Sequence, residues 1–301
     1  MTVNDHLSNL TMGTRSARHE CMHTLTLLLL FSLSIIPNAS SSSQNYNAYN
    51  YDMTTPQFTP DGRLLQVEYA SLASTHSSPC VIWKLRIDTS DDVTLVMTAK
   101  SSRKIQNRLI RLSDTTAVCL SGVVSDSMAL LSKVYELQDD NRRLYGSPLT
   151  DLQIANSIAM SCQRHSFGGG LRPYGSSIVV LSSSSSHQHQ RILQTDPSGA
   201  AVTVSHDAST TPASSPPLLH IVGGSGRSVE ELRRTLERAA PPETLNQALI
   251  VMAKRLVETA LGENHPPEDA WLEVMVMSKE RGIHKLTDSQ VERLLAQVRE
   301  Q

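Results

Sequence analysis

From residue 80 onward the chain alternates between short apolar runs and longer segments with helical periodicity. The runs at 80–88 and 93–100 are rich in β-branched residues and are separated by a polar turn, which predicts two adjacent strands. A hairpin is predicted at 191–199, because the Pro-Ser-Gly sequence favours a turn. The same reasoning predicts further short strands at 108–113, 116–121, 176–181 and 271–277.

Helices are predicted between these strands. One begins near Ser125, and its residues Met128, Leu131 and Val134 fall on one face. The Ser/Thr-x-x-Glu/Gln spacing of a capping box opens three others, at 150–153, 228–231 and 287–290. A further helix has apolar residues from Leu245 to Leu256 at helical spacing. The order of strands, two helices, strands, two helices, strand and helix predicts an α+β fold.

Composition narrows the functional classes. The chain has 301 residues, with 27 basic against 29 acidic side chains and a net charge of −2, so nothing indicates a nucleic-acid partner. The four cysteines, at positions 21, 80, 119 and 162, show no metal-ligand or disulfide-framework spacing. The three after residue 50 are expected to be small buried core residues, and no cofactor is expected.

The first fifty residues have the layout of a targeting segment. A thirteen-residue apolar run at 24–36 follows Arg15, Arg18 and His19, and small residues follow it. This layout predicts a signal peptide over 1–43, cleaved near Ser41, and a polar linker over 44–50, with no membrane attachment after removal. A start codon placed too far upstream explains the same residues, and both interpretations stay open.

The segment at 51–70, YDMTTPQFTPDGRLLQVEYA, is the most specific stretch of the chain. Pro60 fixes φ and Gly62 tolerates a positive φ, which predicts a tight turn leading into a helix from about Leu64 to Ala73. The helix carries an apolar set, which consists of Leu64, Leu65, Val67 and Tyr69.

This segment closely resembles the N-terminal signature of α-type subunits of the 20S proteasome. Two later segments, GGGLRPYG at 168–175 and RILQTDPSG at 191–199, resemble further motifs of that family. The resemblance implies an Ntn-hydrolase-type αββα sandwich over 51–301. It also implies a non-catalytic ring subunit that works in ubiquitin-dependent protein degradation in cytoplasm and nucleus. If the leader is real, the alternative location is the secretory route or a complex plastid.

The resemblance also implies partners and roles for individual residues. The partners are other α and β subunits, activator particles and unfolded protein substrates. The helix with Leu64, Leu65 and Val67 would pack against a neighbouring subunit, and Arg108 with Gly122 would receive the terminal carboxylate of an activator tail. Four residues would belong to the gate over the pore, namely Tyr51, Asp52, Pro60 and Tyr69.

A catalytic role is disfavoured by the residues themselves. The β-type relatives need a Gly-Thr junction at the start of the first strand, where a freed Thr is the nucleophile. Here that place reads Ser-Ser-Pro-Cys at 77–80, and the Gly13-Thr14 pair precedes the apolar run instead. Two alternatives stay open, a free-standing Ntn-type hydrolase or threonine peptidase and an organellar binding protein that keeps only the fold.

Two small motifs have an alternative interpretation as ligand sites. His187 and His189 have a spacing that a metal could use, but no third ligand is near them in the sequence. The glycine-rich stretch at 223–226 precedes a helix, as in phosphate sites, although a tight strand-to-helix connection explains it equally. No metal site is therefore predicted.

The leader interpretation has a direct test. Residues 1–50 fused to a fluorescent reporter are expected to carry it into the endoplasmic reticulum or a plastid compartment, because the apolar run has signal-peptide length. Asn38 heads an Asn-x-Ser acceptor, so glycosylation gives a second signal if cleavage fails. A reporter that stays in the cytosol, or transcripts that begin after the apolar run, would overturn the interpretation.

Overall fold

A computed structural model of the protein describes residues 57–86, 92–183, 190–204, 218–224, 226–240, 242–260, 270–278 and 281–300. The leader and linker predictions, together with those for Tyr51, Asp52, His187 and His189, lie outside the described residues. No helix within the described ranges is long and apolar enough to cross a membrane.

The described residues form ten strands and six helices. The strands are β1 (Cys80–Arg86), β2 (Asp92–Lys100), β3 (Leu109–Arg111), β4 (Thr116–Gly122), β5 (Ser176–Ser182), β6 (Arg191–Thr195), β7 (Ala201–Thr203), β8 (Leu218–Val222), β9 (Trp271–Ser278) and β10 (Gly282–Lys285). The helices are α1 (Leu65–Thr75), α2 (Val124–Tyr145), α3 (Asp151–Phe167), α4 (Gly226–Glu237), α5 (Leu245–Ala260) and α6 (Asp288–Arg299).

The strands form two five-stranded sheets in which all pairs are antiparallel. The first sheet has the order β10-β9-β2-β1-β8, and the second sheet has the order β3-β4-β5-β6-β7. Helices α4, α5 and α6 pack on the outer face of the first sheet, whereas α2 and α3 pack on the outer face of the second. The predicted four-layer αββα sandwich is confirmed.

Side chains alternate between the layers, which explains why the strands are apolar on both faces. On β1, Trp83 and Leu85 pack toward the helices and Ile82 packs between the sheets. On β5, Val180 faces α2 and α3, whereas Val179 lies between the sheets. Because successive side chains of a strand point to opposite faces, a strand covered on both sides is mostly apolar along its length.

Most local predictions from the sequence are confirmed. Thr150 and Gln153 form the capping box of α3, and Thr287 and Gln290 form that of α6. The capping box predicted at 228–231 is wrong: α4 begins at Gly226, so Ser228 lies inside its first turn. Strand β10 was not predicted, because its four residues alternate too briefly to stand out.

A half-buried histidine connects the two sheets at one side. His220 on β8 donates from Nε2 to Oε1 of Gln194 on β6, at 2.8 Å. Burial lowers the pKa of His220, and the nearby charge of Arg233 acts in the same direction. The folded protein therefore favours the neutral imidazole, which keeps the cross-sheet hydrogen bond free of a buried charge.

The lowered pKa of His220 predicts that the protein loses stability in mild acid. Below about pH 6.5 the unfolded chain binds a proton at His220 more readily than the folded chain, so the free energy of unfolding decreases as the pH decreases. His220→Gln, which can still donate to Gln194, should flatten the stability profile of the purified protein between about pH 7 and 5.5. Urea unfolding at a series of pH values measures this, and an unchanged slope in the variant would contradict it.

Candidate functional site

The predicted turn before α1 is present. The N–H of Gly62 donates to the carbonyl of Thr59 at 2.8 Å, and the N–H of Thr59 donates to the carbonyl of Arg63 at 2.9 Å. Gly62 has a φ of +77°, as the turn requires. Helix α1 begins at Leu65, one residue later than predicted, and continues to Thr75.

Two glycines let α1 approach the sandwich closely. A Cβ atom at Gly122 would lie 2.8 Å from the Cα of Ser74, and one at Gly175 would lie 3.1 Å from the Cβ of Ala73. The hydroxyl of Ser121 donates to the carbonyl of Ser74 at 2.8 Å. Helix α1 is therefore seated on the ends of β4 and β5, where larger side chains would collide with it.

The outward side of α1 is apolar. Leu65, Tyr69 and Leu72, here called the α1 stripe, follow the i, i+4, i+7 spacing of one helical face. Tyr69 is 45% exposed and Leu72 is 58% exposed. Val67 differs, because it lies three residues before the buried Ala70 and shares that inner side of the helix. The predicted apolar set is thus divided between two faces.

Arg108 and Gly122 line one cleft beside the start of α2. The cleft is shallow, and Gly122 has a φ of +96°. The lining comes from the loop before β3, from β4 and from the first turn of α2, with residues Gln106, Asn107, Arg108, Leu120, Gly122, Val124 and Ser127. The sequence-predicted pair is therefore brought together.

Arg108 is held by its backbone, while its side chain keeps an unused donor. Its N–H donates to Oε2 of Glu273 at 3.0 Å, and its carbonyl accepts from the N–H of Leu120 at 2.9 Å. Nη1 of Arg108 is buried and has no hydrogen-bond partner among the described residues. A buried donor left unsatisfied costs about 1–3 kcal/mol, so this position favours an additional acceptor.

The N-terminus of α2 adds a second positive feature. Val123 precedes this 22-residue helix and makes no side-chain capping hydrogen bond. The first-turn N–H groups of a helix have no intrahelical partners, and the helix dipole places partial positive charge there. Because Val124 and Ser127 line the cleft, this charge lies beside Arg108.

An acidic residue in the same turn, Asp126, is paired with an arginine. Asp126 accepts two hydrogen bonds from Arg172, each of 2.7 Å, and one of 2.8 Å from the N–H of Gly175. The Arg172 guanidinium lowers the pKa of Asp126 below its usual value, although burial acts in the opposite direction. The carboxylate is therefore ionised and paired, and its charge does not dominate the cleft.

The described part of the chain was also compared with the requirements of a metal site and of a reactive thiol. Within those ranges, no group of three or more His, Cys, Asp or Glu side chains could hold a metal ion. Burial raises the pKa of the Cys80 thiol well above its usual value and that of Cys162 to about 12, so both are poor nucleophiles. Protein atoms lie within 2.6 Å of a Cβ built at Gly223 or Gly224, which favours the tight strand-to-helix connection over a phosphate site.

Sequence reasoning missed the buried ions behind the cleft. Lys100 and Glu273 form an ion pair in the interior, and Glu273 also contacts the backbone of Arg108. The available signal was a single acidic residue inside the apolar run at 271–277. A charge at such a position needs a buried partner, so it marks an interaction that periodicity alone does not reveal.

Comparison with known proteins identifies a family and several relatives. The proteasome subunit family matches residues 89–212, and the N-terminal signature of A-type proteasome subunits matches residues 51–71. The alpha type-7 proteasome subunit of Cicer arietinum is 26% identical over 254 residues, which cover 82% of this chain and 92% of that protein.

Two further relatives extend the similarity. The alpha type-4 proteasome subunit of Saccharomyces cerevisiae is 24% identical, with coverage of 83% of this chain and 93% of the relative. The alpha proteasome subunit of Methanothermobacter thermautotrophicus is 25% identical, with coverage of 74% and 84%. The α-type signature favours a ring component over the free-standing hydrolase and the binding-protein alternatives. The chain therefore belongs to the proteasome subunit family and is one of its non-catalytic, α-type ring subunits.

Proposed function

We propose that the chain forms part of the gated entry ring of a proteasome, admits unfolded protein for ubiquitin-dependent degradation, and docks activator particles in the Arg108 cleft. The observation that carries the docking role is the buried, unpaired Nη1 of Arg108. We propose the cytoplasm and nucleus as its location, in line with the family. Its partners would be other α and β subunits in a stacked complex of rings.

The docking proposal follows from the charge of the cleft. The cleft combines a guanidinium with the start of α2, so it favours an anion. A carboxylate can accept two parallel hydrogen bonds from a guanidinium, which suits the C-terminus of an activator tail.

The gate proposal concerns the segment before α1. Pro60 lies in a turn that backbone hydrogen bonds between Thr59, Gly62 and Arg63 hold at the start of α1. Tyr69 lies on the exposed side of the same helix. We propose that both residues, with Tyr51 and Asp52, hold the preceding segment over the pore.

The ring-contact proposal follows from the α1 stripe. Exposed apolar side chains on one helical face favour a protein partner, and a neighbouring α subunit would bury them. Each such side chain contributes about 1–2 kcal/mol when its remaining surface is buried. Leu65 is half-buried within the chain, as are Leu64 and Val67, so Tyr69 and Leu72 supply most of the exposed apolar surface.

Leu72→Asp should therefore prevent incorporation into large particles while the chain stays folded, because Leu72 is mostly exposed before assembly. Native size by sedimentation, with thermal unfolding of the free chain, measures both effects. Ser228→Asp is the matched control, since it adds the same charge at an exposed first-turn position of α4, where an acidic residue is favourable. Incorporation of Leu72→Asp at the parental level would contradict the contact.

Arg108→Ala should weaken binding of acetyl-tetraalanine to the assembled particle by about tenfold, because a hydrogen bond to a charged group contributes about 1.5–3 kcal/mol. The only charge of this peptide is its terminal carboxylate. The C-terminal amide of the same peptide lacks this charge, so it should bind the parent and the Arg108→Ala variant with equal affinity. Arg108→Lys should restore most of the affinity, since it returns a cation. Ligand-observed NMR measures the affinities.

Arg111→Ala is the control for loss of charge. Arg111 lies on β3, three residues after Arg108, but its side chain is exposed and pairs with Asp114. The docking role is excluded if Arg108→Ala binds the peptide acid as tightly as the parent. A failure of Arg108→Ala to assemble, with Arg111→Ala normal, would instead identify Arg108 as a structural charge.

A further inference from the structure

Three charged side chains form a cluster, here called the Glu273 cluster (Lys100, Glu273 and Lys285), in which Lys100 and Glu273 are buried and Lys285 is half-buried. Glu273 on β9 and Lys100 on the adjacent β2 form an ion pair in which both side chains are only 2% exposed. Nζ of Lys285 on β10 lies 3.7 Å from Oε2 of Glu273. Burying ions is costly, so such a cluster needs several compensating contacts.

The Glu273 carboxylate supplies those contacts at the edge of the other sheet. Strand β3 is the edge of the second sheet, and no strand of the described residues pairs with its outer side. Oε2 of Glu273 accepts hydrogen bonds from the N–H groups of Arg108, at 3.0 Å, and Leu109, at 2.8 Å. Lys285 donates to the carbonyl of Leu109 at 2.9 Å. The cluster therefore fixes the backbone that carries Arg108.

The loop before Arg108 is attached to the same cluster. Nζ of Lys100 donates to the carbonyl of Ile105 at 2.9 Å and to Oδ1 of Asn107 at 2.8 Å. Farther out, the guanidinium of Arg103 lies 4.8 Å from the centre of the Trp271 ring. The loop that forms one wall of the cleft thus depends on a buried ion pair for its position.

We propose that Glu273 is a positioning residue for Arg108. It does not line the cleft, but it holds the backbone of Arg108 by direct hydrogen bonds and the adjoining loop through Lys100. A guanidinium binds a carboxylate well only in a narrow range of geometries. Loss of the Glu273 contacts would therefore displace the Arg108 guanidinium from the position that the ligand carboxylate requires. The inference rests on the proposed docking function, and it assigns that function a residue outside the cleft.

The test uses the preference of the assembled particle for acetyl-tetraalanine over its amide. Glu273→Gln keeps the size of the side chain but removes the charge and one acceptor oxygen. It should reduce the acid-over-amide preference by about tenfold, and amide exchange at Arg108 and Leu109 should become faster. In an Arg108→Ala background, Glu273→Gln should cause no further loss of the preference, because Glu273 acts through Arg108.

Asp151→Asn is the matched control. Asp151 is a similarly buried carboxylate that pairs with Arg191 at 2.9 Å, and it does not line the cleft. It should lower the melting temperature without changing the acid-over-amide preference. If Glu273→Gln does not fold, Lys100→Met/Glu273→Gln removes both charges of the pair and is expected to fold. This double variant should still lose the preference, since one amide oxygen cannot replace the carboxylate.

The outcomes separate the two claims. If Arg108→Ala leaves the preference unchanged, the docking function fails and the positioning role fails with it. If Arg108→Ala abolishes the preference but the folded Glu273 variants keep it, only the positioning role is overturned. Losses that add in the combined variant, or an equal loss in Asp151→Asn, would show that Glu273 acts on general stability instead.

Discussion

The Glu273 carboxylate lies between the two sheets, where it joins β9 of the first sheet to the edge strand β3 of the second. One oxygen accepts from two backbone N–H groups, and the other pairs with Lys100. Removing one charge of a buried pair typically costs about 3–5 kcal/mol, far more than an exposed pair contributes. This interaction holds the start of β3 and, through Lys100, the loop before it, and these two segments form one wall of the Arg108 cleft.

A second constraint is the close packing of α1 against the ends of β4 and β5. Because Gly122 and Gly175 have no Cβ, the helix backbone reaches the ends of β4 and β5, and Ser121 bonds to it. The same Gly122 lines the cleft. Gly122 therefore contacts both α1, which carries the α1 stripe, and the Arg108 cleft. This residue connects the proposed ring contact with the proposed activator site.

Much of the fold could be predicted from the sequence, because its signals are local. The capping box at Thr150, the turn at Gly62 and the period-two apolar runs each depend on neighbours in the chain. What could not be predicted depends on distant partners. Glu273 meets Arg108 across 165 positions, and the division of the α1 apolar set became visible only once the sandwich defined an inner side. The capping box at Ser228 failed because a glycine-rich entry let α4 begin earlier.

The most direct test of this account is a high-resolution structure of the assembled particle with an activator's C-terminal peptide bound. We predict the terminal carboxylate within about 3 Å of the Arg108 guanidinium, beside the first turn of α2. The same map should show the Glu273 carboxylate on the backbone of Arg108 and a neighbouring subunit over the α1 stripe. A carboxylate bound elsewhere, with Nη1 of Arg108 satisfied by a protein acceptor, would contradict the account.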